Sequence, residues 1–173
     1  MNGRAQYDLV TEWVLTAPVE CIFEALEAPD TWPLWWPYVA SVVRVARGDA
    51  QGIGAVWRYT WSGRLPYRLT FDMTTTAARR PELLEGCASG DLCGIGRWRL
   101  ARERDASRVR YEWRVGTGKR WMSIVAPLFA PVFEWNHDQV MAAGGKGLAR
   151  HLGVTLRAYN RLSRHEDRRC TTC

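Results

Sequence analysis

His137 sits on a helical stripe. Phe133, His137, Val140, Met141, Gly144, Leu148 and Leu152 follow one another at steps of three and four, and the imidazole is the polar exception on that face. Three phenols, Tyr59, Tyr67 and Tyr111, fall on the apolar side of strand-like segments. An imidazole can accept a proton near neutral pH and a phenol can donate one, so the four could serve acid/base chemistry on a bound molecule. His137 is the catalytic candidate of the set. A lone histidine on an apolar stripe also fits a hydrogen-bonded core residue. No inward Asp, Glu or Arg pairs with it in the face assignment, and Asn136 and Asp138 point off the stripe. A general base normally needs an orienting partner, so His137 suits ligand orientation better than catalysis.

The elements that would hold these groups can be read in order. Tyr7–Thr16 alternates Tyr7, Leu9, Trp13 and Leu15 on one side and reads as a strand buried on one face. Pro18 fits the first position of a short helix carrying Val19, Ile22, Phe23 and Leu26 on its apolar side. Asp30 is placed to cap a second short helical segment, TWPLWWPYV, whose tryptophans could plug a cavity or simply seat the helix pair on a sheet. From Ser41 to Thr117 about six short strands follow, separated by Gly, Asp and Pro turn signals, and sequential antiparallel pairing is expected. The apolar segment KRWMSIVAPLFAP comes next. Its prolines predict a break or kink before a long helix over Pro131–Leu152 and make it a candidate mobile edge. Beyond Gly153 the helical pattern is expected to fray through Val154–Leu162.

The strand faces separate cleanly. Trp57, Tyr59 and Trp61 share a side with Ala55, and Tyr67, Phe71, Trp98, Tyr111 and Trp113 take equivalent positions on later strands. Arg58, Arg68, Arg97, Arg99, Arg108, Arg110 and Arg114 fall on the other side with Asp72 and Glu112, as a solvated ladder of mixed charge. One face of the sheet is therefore aromatic and the other charged. Ten tryptophans in 173 residues supply wide, flat walls, and with Phe133 and Met141 of the helix they could stack on a bulky apolar ligand or fill a plain core.

Composition excludes several classes. The formal charge of +6 comes almost wholly from arginines scattered among acids, with lysine only at Lys119 and Lys146 and RLSRHEDRR near the C-terminus as the one dense cluster, so no nucleic-acid partner is expected. No stretch reaches the ~18 apolar residues of a membrane span and the first residues do not read as a signal peptide, which implies a cytoplasmic protein without stable membrane insertion. Five cysteines at irregular spacing make no disulfide framework. Cys170 and Cys173 lack a second pair for structural zinc, and neither a metal nor a cofactor is expected. The glycines of GDLCGIG lie between strands with no helix following and do not form a nucleotide loop.

The pieces TAPVECIFEAL, DTWPLWWP, SGDLCGIGRWRL and FEWNHDQVMAAGGKGLARHL, in this order, resemble the SRPBCC superfamily, also called START-like or Bet v 1-like, and most closely its bacterial polyketide cyclase/dehydrase-type group. The resemblance runs over Tyr7–Leu152 and implies an α+β helix-grip fold. In that fold a curved antiparallel sheet, here about six to seven strands, wraps round a long C-terminal helix, with two short helices after the first strand. It divides the chain into a tail over 1–6, one domain over 7–157 and a charged tail over 158–173. The implied function is binding of a bulky hydrophobic or aromatic small molecule, lipid-like or polyketide-like, between the aromatic sheet face and the His137 stripe. The resemblance also admits a polyketide aromatase/cyclase or dehydrase, and a protein that sequesters a secondary metabolite for self-resistance.

Overall fold

The computed structural model describes the backbone of residues 6–63, 68–117 and 120–162, with side chains except at 6, 117 and 120–131. Tyr67, Cys170 and Cys173 lie outside the described residues, as do the side chains of the segment expected to be a mobile edge. One antiparallel sheet of eight strands has the order β2-β3-β4-β5-β6-β7-β1-β8. Its strands are β1 (Gln6–Leu15), β2 (Val39–Ala46), β3 (Val56–Ser62), β4 (Arg68–Arg79), β5 (Leu83–Gly90), β6 (Leu92–Arg102), β7 (Ser107–Thr117) and β8 (Leu156–Leu162). Two short helices, α1 (Val19–Glu27) and α2 (Trp32–Trp35), follow β1, and α3 (Arg120–Leu152) precedes β8.

The expected alternation sorts the two faces. Tyr59, Phe71, Trp98, Leu100, Val109, Trp113 and Val115 are buried on the inner face. Outside, the Arg58 guanidinium grips Asp72 through two bonds of 2.7 and 2.8 Å, and Arg97 bridges Glu85 and Glu112. Hydrogen bonds from their arginines hold the Asp72 and Glu85 carboxyls below the usual carboxylate range. Exposed pairs of this kind are screened by solvent and contribute little, so the inner face carries the stability.

Four expectations need correction. First, the chain after α3 does not fray: it forms β8, which pairs with β1 from Val10↔Leu162 to Leu15↔Leu156 and gives the sheet its eighth strand. Gly153 takes a left-handed φ of 66°, its N–H reaches the Arg150 carbonyl, and the Val154 N–H reaches that of Ala149 at 2.9 Å. That bond pattern ends the helix sharply and turns the chain toward the open edge of β1. The domain boundary drawn at 157 therefore falls inside a strand. Second, α3 runs from Arg120 through Pro127 and Pro131 as one element of 33 residues, with no break before Pro131. Each proline removes one N–H from the ladder, and the flanking turns carry the helix past it. Third, Asp30 caps nothing; the chain passes through a 3-10 turn, Pro29–Thr31, directly into α2 without a side-chain cap. Fourth, Asn136 does not point off the stripe, for it is buried.

α2 presses into α3 at two glycines. A Cβ on Gly144 would lie 2.3 Å from the Trp36 ring, and one on Gly147 would lie 1.9 Å from the Trp35 carbonyl oxygen. These bare positions let the tryptophan segment sit against the helix backbone, and the Trp36 indole N–H donates to the Val140 carbonyl at 2.8 Å.

Candidate functional site

Two hollows lie on the inner side of the sheet. The larger, of about 650 Å³, has the sheet residues Trp57, Tyr59, Phe71 and Met73 along it, Leu26 and Trp32 from the helices above, and the β2–β3 turn at its rim. Its floor has a simple origin. Gly86 of β5 and Gly96 of β6 are direct cross-strand partners, and both line the hollow where two inward side chains would otherwise stand. The smaller hollow, about 100 Å³, lies against α3 and touches Trp113, Phe133, Asn136, His137, Val140 and Met141.

Trp32, Trp61, Phe71, Trp98 and Tyr111 line both and form the wall between them. Trp32 is its centre. The ring lies 5.5 Å from Tyr59, 6.5 Å from Trp61 and 6.4 Å from Trp98, and its N–H is fixed on the Ala25 carbonyl at 3.2 Å. Trp98 stacks on Tyr111 at 4.1 Å, and Tyr111 on Trp113 at 5.9 Å. Aromatic pairs at these separations add roughly 1 kcal/mol each beyond area burial, which makes the wall stiff.

The expected site residues are thus divided. Trp57 and Tyr59 face the large hollow, Trp113, Phe133, Met141 and His137 the small one, and Trp61, Phe71, Trp98 and Tyr111 both. The large hollow is not bounded by α3 among the described residues, so the principal space lies away from the His137 stripe. The reason is the close approach of α2 at Gly144 and Gly147, which leaves little room there.

His137 Nε2 is enclosed and has no hydrogen-bond partner among the described residues. Burial first, and repulsion from Arg161 second, push its pKa down to about 4, so the imidazole is neutral at physiological pH. Asp138 does not orient it. That carboxylate accepts from Arg161 at 2.9 Å, on the β8 side, and burial still raises its pKa. Burial also raises the Tyr59 and Tyr111 phenols far above their ordinary range and keeps them protonated. The chemistry available is therefore a weak neutral acceptor in one hollow and proton-holding phenols on the wall and in the other.

Sequence reasoning missed Trp32, Asn136 and Arg44 as site residues. Trp32 was named only for its segment. Arg44 had a usable signal, since it stands two residues from the inward Val42, and the register places it opposite Trp57. No three His, Cys, Asp or Glu side chains converge as a metal site among the described residues. No helix among them is long and apolar enough to cross a membrane.

No protein-family model matches the sequence, and neither does any curated protein. Solved structures do match. Protein TTHA0849 from Thermus thermophilus is similar over 84% of this chain and 99% of its own, with 14% identity and a TM-score of 0.66. The major latex-like protein 151 from Panax ginseng is similar over 86% of this chain and 98% of its own, with 9% identity and a TM-score of 0.64. Zhui aromatase/cyclase from a Streptomyces species is similar over 84% of this chain and 96% of its own, with 13% identity and a TM-score of 0.61. Together with the sheet order and the long helix before β8, these likenesses establish that the chain has the helix-grip fold.

Proposed function

We propose that the protein binds a bulky hydrophobic or aromatic small molecule, polyketide-like or lipid-like, in the 650 Å³ hollow. The observation that carries this reading is the pairing of Gly86 with Gly96 beneath an aromatic wall. The two bare positions let the Met73 and Tyr111 side chains lie close against the sheet, and flat rings line a space within the roughly 300–1,000 Å³ range of small-molecule sites. Similarity of fold to a latex-like protein and to an aromatase/cyclase supports the same ligand class. Titration of the intrinsic tryptophan fluorescence with fatty acids, sterols, flavonoids and polycyclic polyketides tests it. Saturable quenching by one class is expected, and its absence across the panel would remove the reading.

A second reading, an aromatase/cyclase or dehydrase, is favoured by His137. A neutral imidazole whose Nε2 has no partner among the described residues, lining the same hollow as the protonated Tyr111, offers the acceptor and donor that aldol closure and loss of water require. Its test is turnover of a poly-β-ketone mimic: His137→Gln should abolish turnover and retain binding. Loss of both, or of neither, would return His137 to a packing role.

A further inference from the structure

Arg44 lines the large hollow and has no ion-pair partner among the described residues. It pairs with Trp57 across β2 and β3, so both side chains leave the sheet on the inner face. The guanidinium carbon lies 5.5 Å from the centre of the Trp57 ring, which holds the group over an aromatic plane at the rim. Arg47, on the turn that follows, lines the same hollow. Neither arginine has an ion-pair partner among the described residues.

The remaining charges around the hollow are committed elsewhere. Glu27 and Arg80 neutralise each other, and Glu85 is held by Arg97. One oxygen of Asp49 accepts the Gln51 and Ile53 amides of its own turn at 2.9 Å each. Arg102, at the far end of β6, is paired with Glu20. On the outer face Arg58, Arg108 and Arg110 are each on a carboxylate. Arg44 differs from these in its place: it stands at the rim of the hollow, its guanidinium over a ring that lines it, with no acid upon it.

We infer that the ligand is amphipathic: an aromatic or polycyclic body inside the hollow, and a single carboxylate at the rim, held by the Arg44 fork with Arg47 beside it. The inference rests on the ligand-binding reading above and names the class of molecule. A planar guanidinium matches a carboxylate through two parallel N–H bonds, and stacking on Trp57 fixes the fork while leaving its edge free. A doubly charged phosphate suits the rim less well, because the Asp49 carboxylate lines the same hollow.

The test compares 1-pyrenebutyric acid with its methyl ester, with binding followed by pyrene and tryptophan fluorescence at matched ionic strength. The acid should bind wild type about tenfold more tightly than the ester at low salt, and added salt should erode the difference. Arg44→Met keeps an unbranched apolar stem against Trp57 and should bring acid and ester to within about twofold of each other, with the ester's affinity unchanged. Arg47→Gln should narrow the gap by less. Near-UV circular dichroism of each variant reports whether the aromatic interior is intact. Equal affinity for acid and ester in wild type, or an equal loss of both in Arg44→Met, would overturn the carboxylate assignment while leaving hydrophobic binding in place. Failure of both probes to bind would overturn the ligand-binding reading and the assignment together.

Discussion

The indole N–H of Trp36 donates to the main-chain carbonyl of Val140 at 2.8 Å, inside a helix whose own ladder already uses such carbonyls. That bond locks the tryptophan segment to α3 directly above Gly144, and the glycine is what allows the approach. Alanine at 144 would gain about 1 kcal/mol of helix propensity. It would also drive a methyl into the Trp36 ring, and overpacking of this kind costs about 1–3 kcal/mol, so Gly144→Ala should destabilise. Gly147→Ala should cost more, because its obstacle is the Trp35 main chain and not a rotatable ring. Urea denaturation checks both. The exposed Lys146→Ala is the control on the same helix and should stay within about 0.5 kcal/mol of wild type.

His137 gives a pH dependence with a defined sign. Its folded pKa of about 4 lies below the unfolded value near 6.5, so between these limits the unfolded chain binds the extra proton. Stability is then unaffected by this group above pH 6.5 and falls as the pH drops toward 4, by at most about 3 kcal/mol. Urea midpoints of wild type and His137→Gln should converge on acidification, since the glutamine variant lacks this slope. Parallel pH profiles for the two proteins would show that the imidazole is not titrating in isolation.

The tryptophans should couple optically. Trp36 and Trp61 rings lie 5.1 Å apart at 87°, Trp32 and Trp36 5.1 Å apart at 36°, and Trp13 and Trp98 5.3 Å apart at 45°. Indoles this close and skewed share their excited states. Circular dichroism should show a split band in the indole region that vanishes on unfolding in one step with the far-ultraviolet signal. Trp36→Phe should remove most of it, whereas a single unsplit band in the folded protein would contradict the ring geometry.

The floor of the large hollow is adjustable. A Cβ at Gly96 would lie 2.7 Å from the Tyr111 hydroxyl and 2.9 Å from both Met73 and Trp113, so Gly96→Ala must displace these side chains into the space. Polycyclic ligands should lose about tenfold in affinity or more, while naphthalene-sized ones lose little, read from the same fluorescence titrations. A uniform loss across sizes would mean that the substitution disturbs the sheet instead of the floor.

The fold was largely legible because alternation and helical repeats are local. Trp57, Tyr59 and Trp61 declared their face within five residues. What escaped depended on register or on single backbone conformations. Leu156–Leu162 continues an apolar pattern after a helix, and only the left-handed turn at Gly153 converts it into a strand. Gly86 and Gly96 are separated in sequence and become a cavity floor only once β5 and β6 are aligned. Arg44 resembled the outer-face arginines until its partner Trp57 was known. The distribution of empty space, unlike the identity of its walls, was set by how closely α2 meets α3.

β1 lies between β7 and β8, so the first described strand finds its partners nearly last: Leu15 meets Ser107, and Val14 meets Ala158. During synthesis the β2–β7 meander can pair in order while β1 waits. Its inner face, with Trp98 and Tyr111, stays uncovered until β1 brings α1 and α2 with it and α3 is complete. Such long-range closure is slow and leaves an apolar surface open to other chains. The newborn protein therefore depends most on protection from aggregation in the interval before β8 emerges.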